Sequence, residues 1–310
     1  MAKRIHTIRG PVEIDSLGLI LPHEHLFTDL RGPRVADYAQ GDPSAVIKVV
    51  EPHLAEASKA GVTALVECST LGVGRNLALL RSLAEATSIQ LVAPTGVYRD
   101  AYIPDSLLEM GEHDLADLWT RELTEGIEDT GIRAGFIKLA MSDDGPTARE
   151  IRNLNAAAQA SLSTAAAIAV HTIGGRIARQ EMDVLEEAGL DLQRFIWVHA
   201  QTEPDLQVLV EAARRGAYVE LDSVGAPFQR QEELLEAVSV LIAGGFVEQI
   251  LLSHDAGWYN PASPDGMPES GYRGYTALTR DFLPALSARG VSEEHIRQMT
   301  VTNPAQAFAF

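Results

Sequence analysis

Eight short runs rich in Val, Ile and Leu recur along this chain, and each is followed by a longer stretch with helical spacing of its apolar residues. This alternation limits the possible folds more than any other feature. The runs are Leu19–Leu21, Thr63–Cys68, Gln90–Ala93, Gly135–Leu139, Ala166–Val170, Phe195–Val198, Ala217–Leu221 and Gln249–Leu252. The helical stretches are 44–60, 76–87, 115–129, 149–163, 176–188, 203–215, 231–243 and 275–288. Several stop at glycine, as at Gly61, Gly189 and Gly216, where a left-handed backbone can end a helix. Thr147, Glu203 and Asp205 stand near expected helix starts, where polar side chains cap free N–H groups. Eight buried strands alternating with eight helices predict an α/β fold, a (β/α)8 TIM barrel. An open doubly wound sheet is the rival, but no glycine-rich turn follows the first run. Residues 1–17 are expected to form a short N-terminal extension over the barrel bottom. No linker divides the chain, so 1–310 reads as a single domain.

In such a barrel the active site forms where the strands end. The first run leads into His23-Glu24-His25, and alternate side chains on a strand share a face. His23 and His25 then lie side by side, with Glu24 turned away. The fourth run contains Lys138, the fifth leads to His171, the sixth to His199, and the seventh to Glu220 and Asp222. The eighth ends in Ser253-His254-Asp255. Five of the nine histidines thus stand at strand ends. His6, His53, His113 and His295 fall in expected helices or loops and read as surface. Neutral imidazoles suit zinc and other first-row divalent ions, so His23, His25, His171, His199 and Asp255 read as a metal site. Four histidines exceed what one catalytic ion with an open position takes, which points to two ions. Lys138 beside two cations should lose its proton and become nucleophilic. It can then take up carbon dioxide as a carbamate, an anionic bridging ligand.

Composition enters mainly by exclusion. A formal charge of −18 argues against nucleic-acid or anionic-membrane partners, which require basic surface. No run approaches the ~20 apolar residues of a membrane span. The start of the chain shows no apolar signal core, and Cys68 is the one cysteine, which fits a reducing, cytoplasmic setting.

These motifs resemble the phosphotriesterase family of the amidohydrolase superfamily, including its phosphotriesterase-like lactonases. The resemblance runs from Gly18-Leu19-Ile20-Leu21-Pro22-His23-Glu24-His25, through Ile137-Lys138-Leu139, His171-Thr172, Val198-His199 and Ser253-His254-Asp255, to Asn303-Pro304-Ala305. It implies that His23, His25 and Asp255 hold the more buried ion, and that His171 and His199 hold the more exposed one. Carboxylated Lys138 and a hydroxide would bridge them. Asp255 would accept the proton as metal-activated hydroxide attacks, passing it outward through His199 or solvent. Tyr98 would lie over the metal pair near the substrate oxygen. The resemblance also implies a homodimer. Histidine and carboxylate ligands accept zinc, cobalt, manganese or iron.

Substrate choice rests on the loops. The stretch Ala256–Gly274 reads as a mobile lid, with Trp258 and Tyr259 as candidates for the substrate wall. Ser223 stands where many lactonases of the family carry arginine, so an acyl-homoserine lactone is not specifically indicated. Arg99 and Arg273 are the loop arginines within reach, and an uncharged lactone or ester is expected. The reading is a binuclear hydrolase of lactones or carboxylic esters with promiscuous phosphotriesterase activity. A dedicated phosphotriesterase (aryldialkylphosphatase) or an amidase is the alternative, and a non-catalytic binding relative the remote one.

Overall fold

The computed structural model describes residues 3–310. Two short strands, β1 (Arg4–Thr7) and β2 (Gly10–Glu13), pair antiparallel ahead of the barrel. The barrel strands are β3 (Leu19–Phe27), β4 (Val62–Glu67), β5 (Gln90–Val92) with its continuation β6 (Pro94–Val97), β7 (Phe136–Ala140), β8 (Ile168–His171), β9 (Phe195–Val198), β10 (Tyr218–Leu221) and β11 (Ile250–Leu252). A further strand, β12 (Gly257–Tyr259), pairs parallel with β3. The main helices are α1 (Pro43–Lys59), α2 (Leu77–Ala86), α3 (Asp105–Leu108), α4 (Glu112–Thr124), α5 (Ala148–Thr164), α6 (Gly175–Glu187), α7 (Leu206–Arg214), α8 (Gln231–Ala243) and α9 (Leu283–Ala288).

All barrel pairings are parallel, in the orders β11-β10-β9-β8-β7-β6 and β12-β3-β4-β5. Two seams join these sheets. Ala93 interrupts one strand before Pro94, which has no N–H to donate, yet its carbonyl accepts from Gly135 N at 2.9 Å. At the other seam Asp255 N donates to the His23 carbonyl at 3.2 Å, and His23 N donates to Ser253 Oγ at 3.1 Å. The fold is the expected TIM barrel.

Alternate residues on each strand face opposite sides. Ala64, Val66, Phe136, Ala169, Ile196 and Leu251 fill the barrel, while Leu65, Ile137, Val170, Trp197 and Leu252 pack outward against helices. Ile5 of β1 joins the inner cluster with Phe308, so the N-terminal hairpin plugs the strands' N-terminal end, as expected. His6 is therefore on a strand, half-buried against Phe310, rather than in a surface loop. Thr147 caps α5 reciprocally with Glu150, and Asp205 caps α7.

Three elements differ from expectation. The helix expected over 115–129 begins earlier and ends at Thr124, because Gly126 adopts φ +145°. The helix expected over 275–288 divides into a wide turn, Leu278–Phe282, and α9. Pro284 explains this, since its ring cannot donate to the preceding turn and would press on it. The stretch after Asp255 is not wholly a loop, because Gly257–Tyr259 joins the sheet. Gly257 makes that possible: a Cβ there would collide with the Tyr275 hydroxyl and the His25 carbonyl.

Candidate metal centre

A register shift in β3 creates the histidine pair. Ile20 faces the barrel interior and Leu21 faces outward. Strict alternation from Ile20 would turn Glu24 inward and both histidines out. The pairing with β4 slips between Leu21 and Glu24, across Pro22, and reverses the parity. His23 and His25 consequently line the cavity at the C-terminal mouth.

Glu24 then points into the seam with β11. It is fully buried and accepts hydrogen bonds from Ser253 Oγ (2.8 Å), His254 N (3.1 Å), His254 Nδ1 (2.5 Å) and Ala256 N (3.0 Å). Glu67 does the same on the other flank, accepting from Leu26 N (2.5 Å) and Ser69 N (2.7 Å). Ser69 Oγ lies 2.8 Å from His25 Nδ1. These buried carboxylates hold the strand that carries the pair.

The other expected residues converge on the same cavity. His23, His25, Tyr98, Lys138, His171, His199, Asp255 and Trp258 all line it, and its volume is about 160 Å³. Asp255 Oδ1 is 3.1 Å from His25 Nε2 and 3.5 Å from His23 Nε2. Ligand atoms of His23, His25 and Asp255 are close enough together to share one ion, as are those of His23, His199 and Asp222. His199 Nε2 lies 2.8 Å from His171 Nδ1, and Tyr98 Oη 3.3 Å from the same nitrogen. Lys138 is not an outward-pointing, snorkelling lysine. Its Nζ is buried in the cavity and has no hydrogen-bond partner among the described residues.

Three of these residues adopt left-handed backbone, unusual outside glycine: His199 (φ 64°), Asp255 (φ 48°) and Trp258 (φ 70°). For His199 the turn brings inward a side chain that strand alternation after Val198 would send out. Such strain persists where surrounding contacts enforce it and concentrates at working sites. The Asp222 carboxylate supplies one such contact, accepting from His199 N at 2.9 Å and pairing with His199 Nδ1 at 2.8 Å.

The electrostatics agree with a ligand set. His171 is held well below its ordinary value, by burial first and then by the neighbouring His199, Lys138 and Arg99. That shift favours the neutral imidazole, the form that binds metal. Burial by itself would raise Asp255, but the hydrogen bond to His25 and the proximity of His23 and His199 hold it well below the carboxylate range. Asp222 is depressed likewise by His199 and His23 against its own desolvation. The donor set fits divalent ions: His171 is lowered, Asp255 and Asp222 are ionised and the Lys138 amine is orphaned, while anionic neighbours raise His23 and His25 against their own burial, so that an ion would replace a proton there.

Tyr259 does not join the wall. Neighbours on β12 face opposite ways, so Trp258 meets His25 edge-on while Tyr259 stacks on Phe27 at 6.0 Å. Leu30 and Val73 complete the apolar side instead. Arg273 hydrogen-bonds the carbonyls of His254 and Asp255, and Arg99 reaches His171. The sequence reading assigned no role to Asp222 or Glu24. A carboxylate inside an apolar run was the available signal, because burial obliges it to find partners.

A parallel barrel with this mouth is the framework of a metal-dependent hydrolase. The model of the phosphotriesterase family matches residues 3–308. A phosphotriesterase homology protein of Mycobacterium tuberculosis is 31% identical, over 98% of this chain and 97% of that protein. The aryldialkylphosphatase of Saccharolobus solfataricus is 28% identical, over 97% and 98%. The N-acetyltaurine hydrolase of Tetraodon nigroviridis is 25% identical, over 100% and 99%. A solved structure from work on "Molecular Engineering of Organophosphate Hydrolysis Activity from a Weak Promiscuous Lactonase Template" superposes with a TM-score of 0.87 at 30% identity, covering 98% of this chain and 99% of that one. The chain belongs to the phosphotriesterase family. It is a metal-dependent hydrolase acting on a small molecule. Among the described residues, no helix is long and apolar enough to cross a membrane.

Proposed function

We propose that this enzyme hydrolyses lactones or carboxylic esters at a two-ion site, with weaker activity on phosphotriesters. His23, His25 and Asp255 would hold one ion, His171 and His199 the other, and carboxylated Lys138 would bridge them. The observation that carries this is the unpartnered, buried Lys138 Nζ among four histidines and Asp255. Carboxylation forms an N–C bond between Nζ and carbon dioxide and releases the amine proton, converting an orphaned amine into an anionic ligand. When bound, zinc or a similar divalent ion supplies Lewis acidity, polarising the carbonyl and making water acidic near neutral pH.

The chain's own residues do the remainder. Asp255 accepts the proton of the attacking water at its carboxylate. Tyr98 directs its hydroxyl over the site and hydrogen-bonds the substrate oxygen. Burial raises the Tyr98 hydroxyl above its ordinary value, so it remains a donor through neutral pH. Leu30, Val73 and Trp258 give the acyl portion an apolar wall and exclude water. His199 is kept in orientation by Asp222. The working form is taken as a homodimer, which sedimentation of the purified enzyme tests directly.

A panel of lactones, aryl esters, paraoxon and simple amides ranks the activities by kcat/KM. The names of two relatives keep phosphotriesters and amides in the panel, and a best substrate from either class would displace the lactone reading. Asp255→Asn should lose at least about 100-fold in kcat/KM on the best substrate. An unchanged rate refutes the assigned proton acceptor. Fully active enzyme with fewer than two ions per chain by elemental analysis refutes the binuclear site.

A further inference from the structure

Arg99 follows Tyr98 at the end of β6. Its Nη2 donates to His171 Nε2 at 2.8 Å and lies 3.4 Å from Tyr98 Oη. Its Nη1 pairs with Asp143 at 3.1 Å, and its Nε is buried without a partner among the described residues. The guanidinium carbon sits 5.3 Å from the centre of the Tyr98 ring. A cation thus stands directly behind two residues that line the cavity, Tyr98 and His171.

The loop is built to keep it there. Buried Glu150 accepts from Asp100 N at 2.9 Å, next to Arg99. The same carboxylate accepts from Ser142 N (3.1 Å) and Ser142 Oγ (2.7 Å), next to Asp143. One buried acid therefore ties both loops that meet at the guanidinium.

The hydrogen-bond chain has a donor problem that an anion solves. Guanidinium N–H groups only donate, so His171 accepts at Nε2 and carries its hydrogen on Nδ1, toward His199 Nε2. His199 in turn donates from Nδ1 to Asp222. If His171 gives Nδ1 to an ion, its hydrogen must move to Nε2. Two donors, Arg99 Nη2–H and His171 Nε2–H, would then face each other. Asp143 Oδ1 lies 3.7 Å from His171 Nε2, just outside hydrogen-bond distance, and a small shift of this exposed side chain would let it take the imidazole hydrogen. That leaves Arg99 Nη2 and Nε without acceptors, side by side as a fork.

We infer that Arg99 binds a carboxylate carried by the substrate, so that the enzyme prefers anionic substrates. This rests on the hydrolase reading above but not on the bond cleaved, and it reverses the expectation of an uncharged substrate. The Asp143 partner does not block it. Asp143 is half-exposed, and an exposed ion pair exchanges readily for a ligand. A planar carboxylate matches the fork of Nη2 and Nε, which a lysine amine cannot reproduce.

The test compares γ-butyrolactone γ-carboxylate with its uncharged primary amide, using metal-loaded enzyme. Wild type should favour the carboxylate by about tenfold or more in kcat/KM, and the preference should shrink as salt is added. Arg99→Met should lose about 30-fold or more on the carboxylate, mainly in KM, and less than about threefold on the amide. Arg99→Lys should fall between them. Equal losses on both substrates would overturn the proposal, making Arg99 a support for His171. No preference in wild type would overturn it too. If neither lactone is hydrolysed, the lactone reading fails, but calorimetric titration with glutarate still decides this one. Glutarate should bind wild type at least about tenfold more tightly than Arg99→Met, and equal affinities refute the anion site.

Discussion

Replacing Glu24 by glutamine or alanine separates its role in closing the barrel from any role in chemistry. Glu24 Oε1 accepts from Ser253 Oγ, His254 N and His254 Nδ1, and Oε2 accepts from Ala256 N. Glutamine can keep the first three with its amide oxygen. Its NH2 then meets the Ala256 N–H, so one hydrogen bond is lost and one buried donor is orphaned, at about 1–3 kcal/mol. Alanine orphans all four donors, and at about 1 kcal/mol each the loss is at least about 4 kcal/mol before any cavity is counted. For 310 residues, an unfolding entropy of about 2.1 cal/mol/K per residue makes 1 kcal/mol worth about 1.5 °C. Glu24→Gln should melt about 2–5 °C below wild type, and Glu24→Ala about 6 °C or more below it. Circular dichroism melts of chelator-treated protein measure this without a contribution from bound ions. Melting of Glu24→Ala within about 1 °C of wild type would refute the claim that this carboxylate holds the β3–β11 seam.

Other perturbations follow from the same geometry. Arg75 and Glu122 form a buried two-bond pair at 2.6 and 3.0 Å, so Arg75→Met should cost about 3–5 kcal/mol in urea unfolding, with partial recovery in Arg75→Met/Glu122→Gln. Gly257→Ala forces a Cβ against Tyr275 and His25 at φ +95°, and should cost more than about 2 kcal/mol and lower metal content. Glu181 is pushed well above its ordinary value by burial, with Thr172 donating the opposing hydrogen bond. Its folded-state value is raised, so its contribution is complete below the unfolded value near 4.5 and is lost as pH rises through the folded one. Glu181→Gln should therefore flatten that decline and be the more stable protein at about pH 8, read from urea midpoints across the range.

The barrel was legible because its strands are buried on both faces and read as apolar runs, while its helices repeat their stripe at a different period. The ligand candidates were legible for a related reason. Charged and imidazole side chains at the ends of such runs have few structural uses, so His171, His199 and Asp255 stood out. The lid was misread in part because Gly257-Trp258-Tyr259 carries no alternation long enough to mark a strand; its pairing with β3 depends on a neighbour more than 200 residues away. The same short strand sends Trp258 to the cavity and Tyr259 to Phe27, a choice that composition does not contain.

By itself the sequence determined the alternation of elements, the family, and which residue types gather at the mouth. Only the tertiary structure decided their facing. A one-residue slip against β4 turned His23 and His25 inward and sent Glu24 to the seam. Left-handed turns at His199 and Asp255 aimed two more side chains into the cavity. Glu150, from α5, drew two loops together and placed Arg99 on His171. The reason is common to all three. Periodicity is a local property of the chain, whereas register, strained turns and loop tethers are set by hydrogen bonds between segments far apart in it.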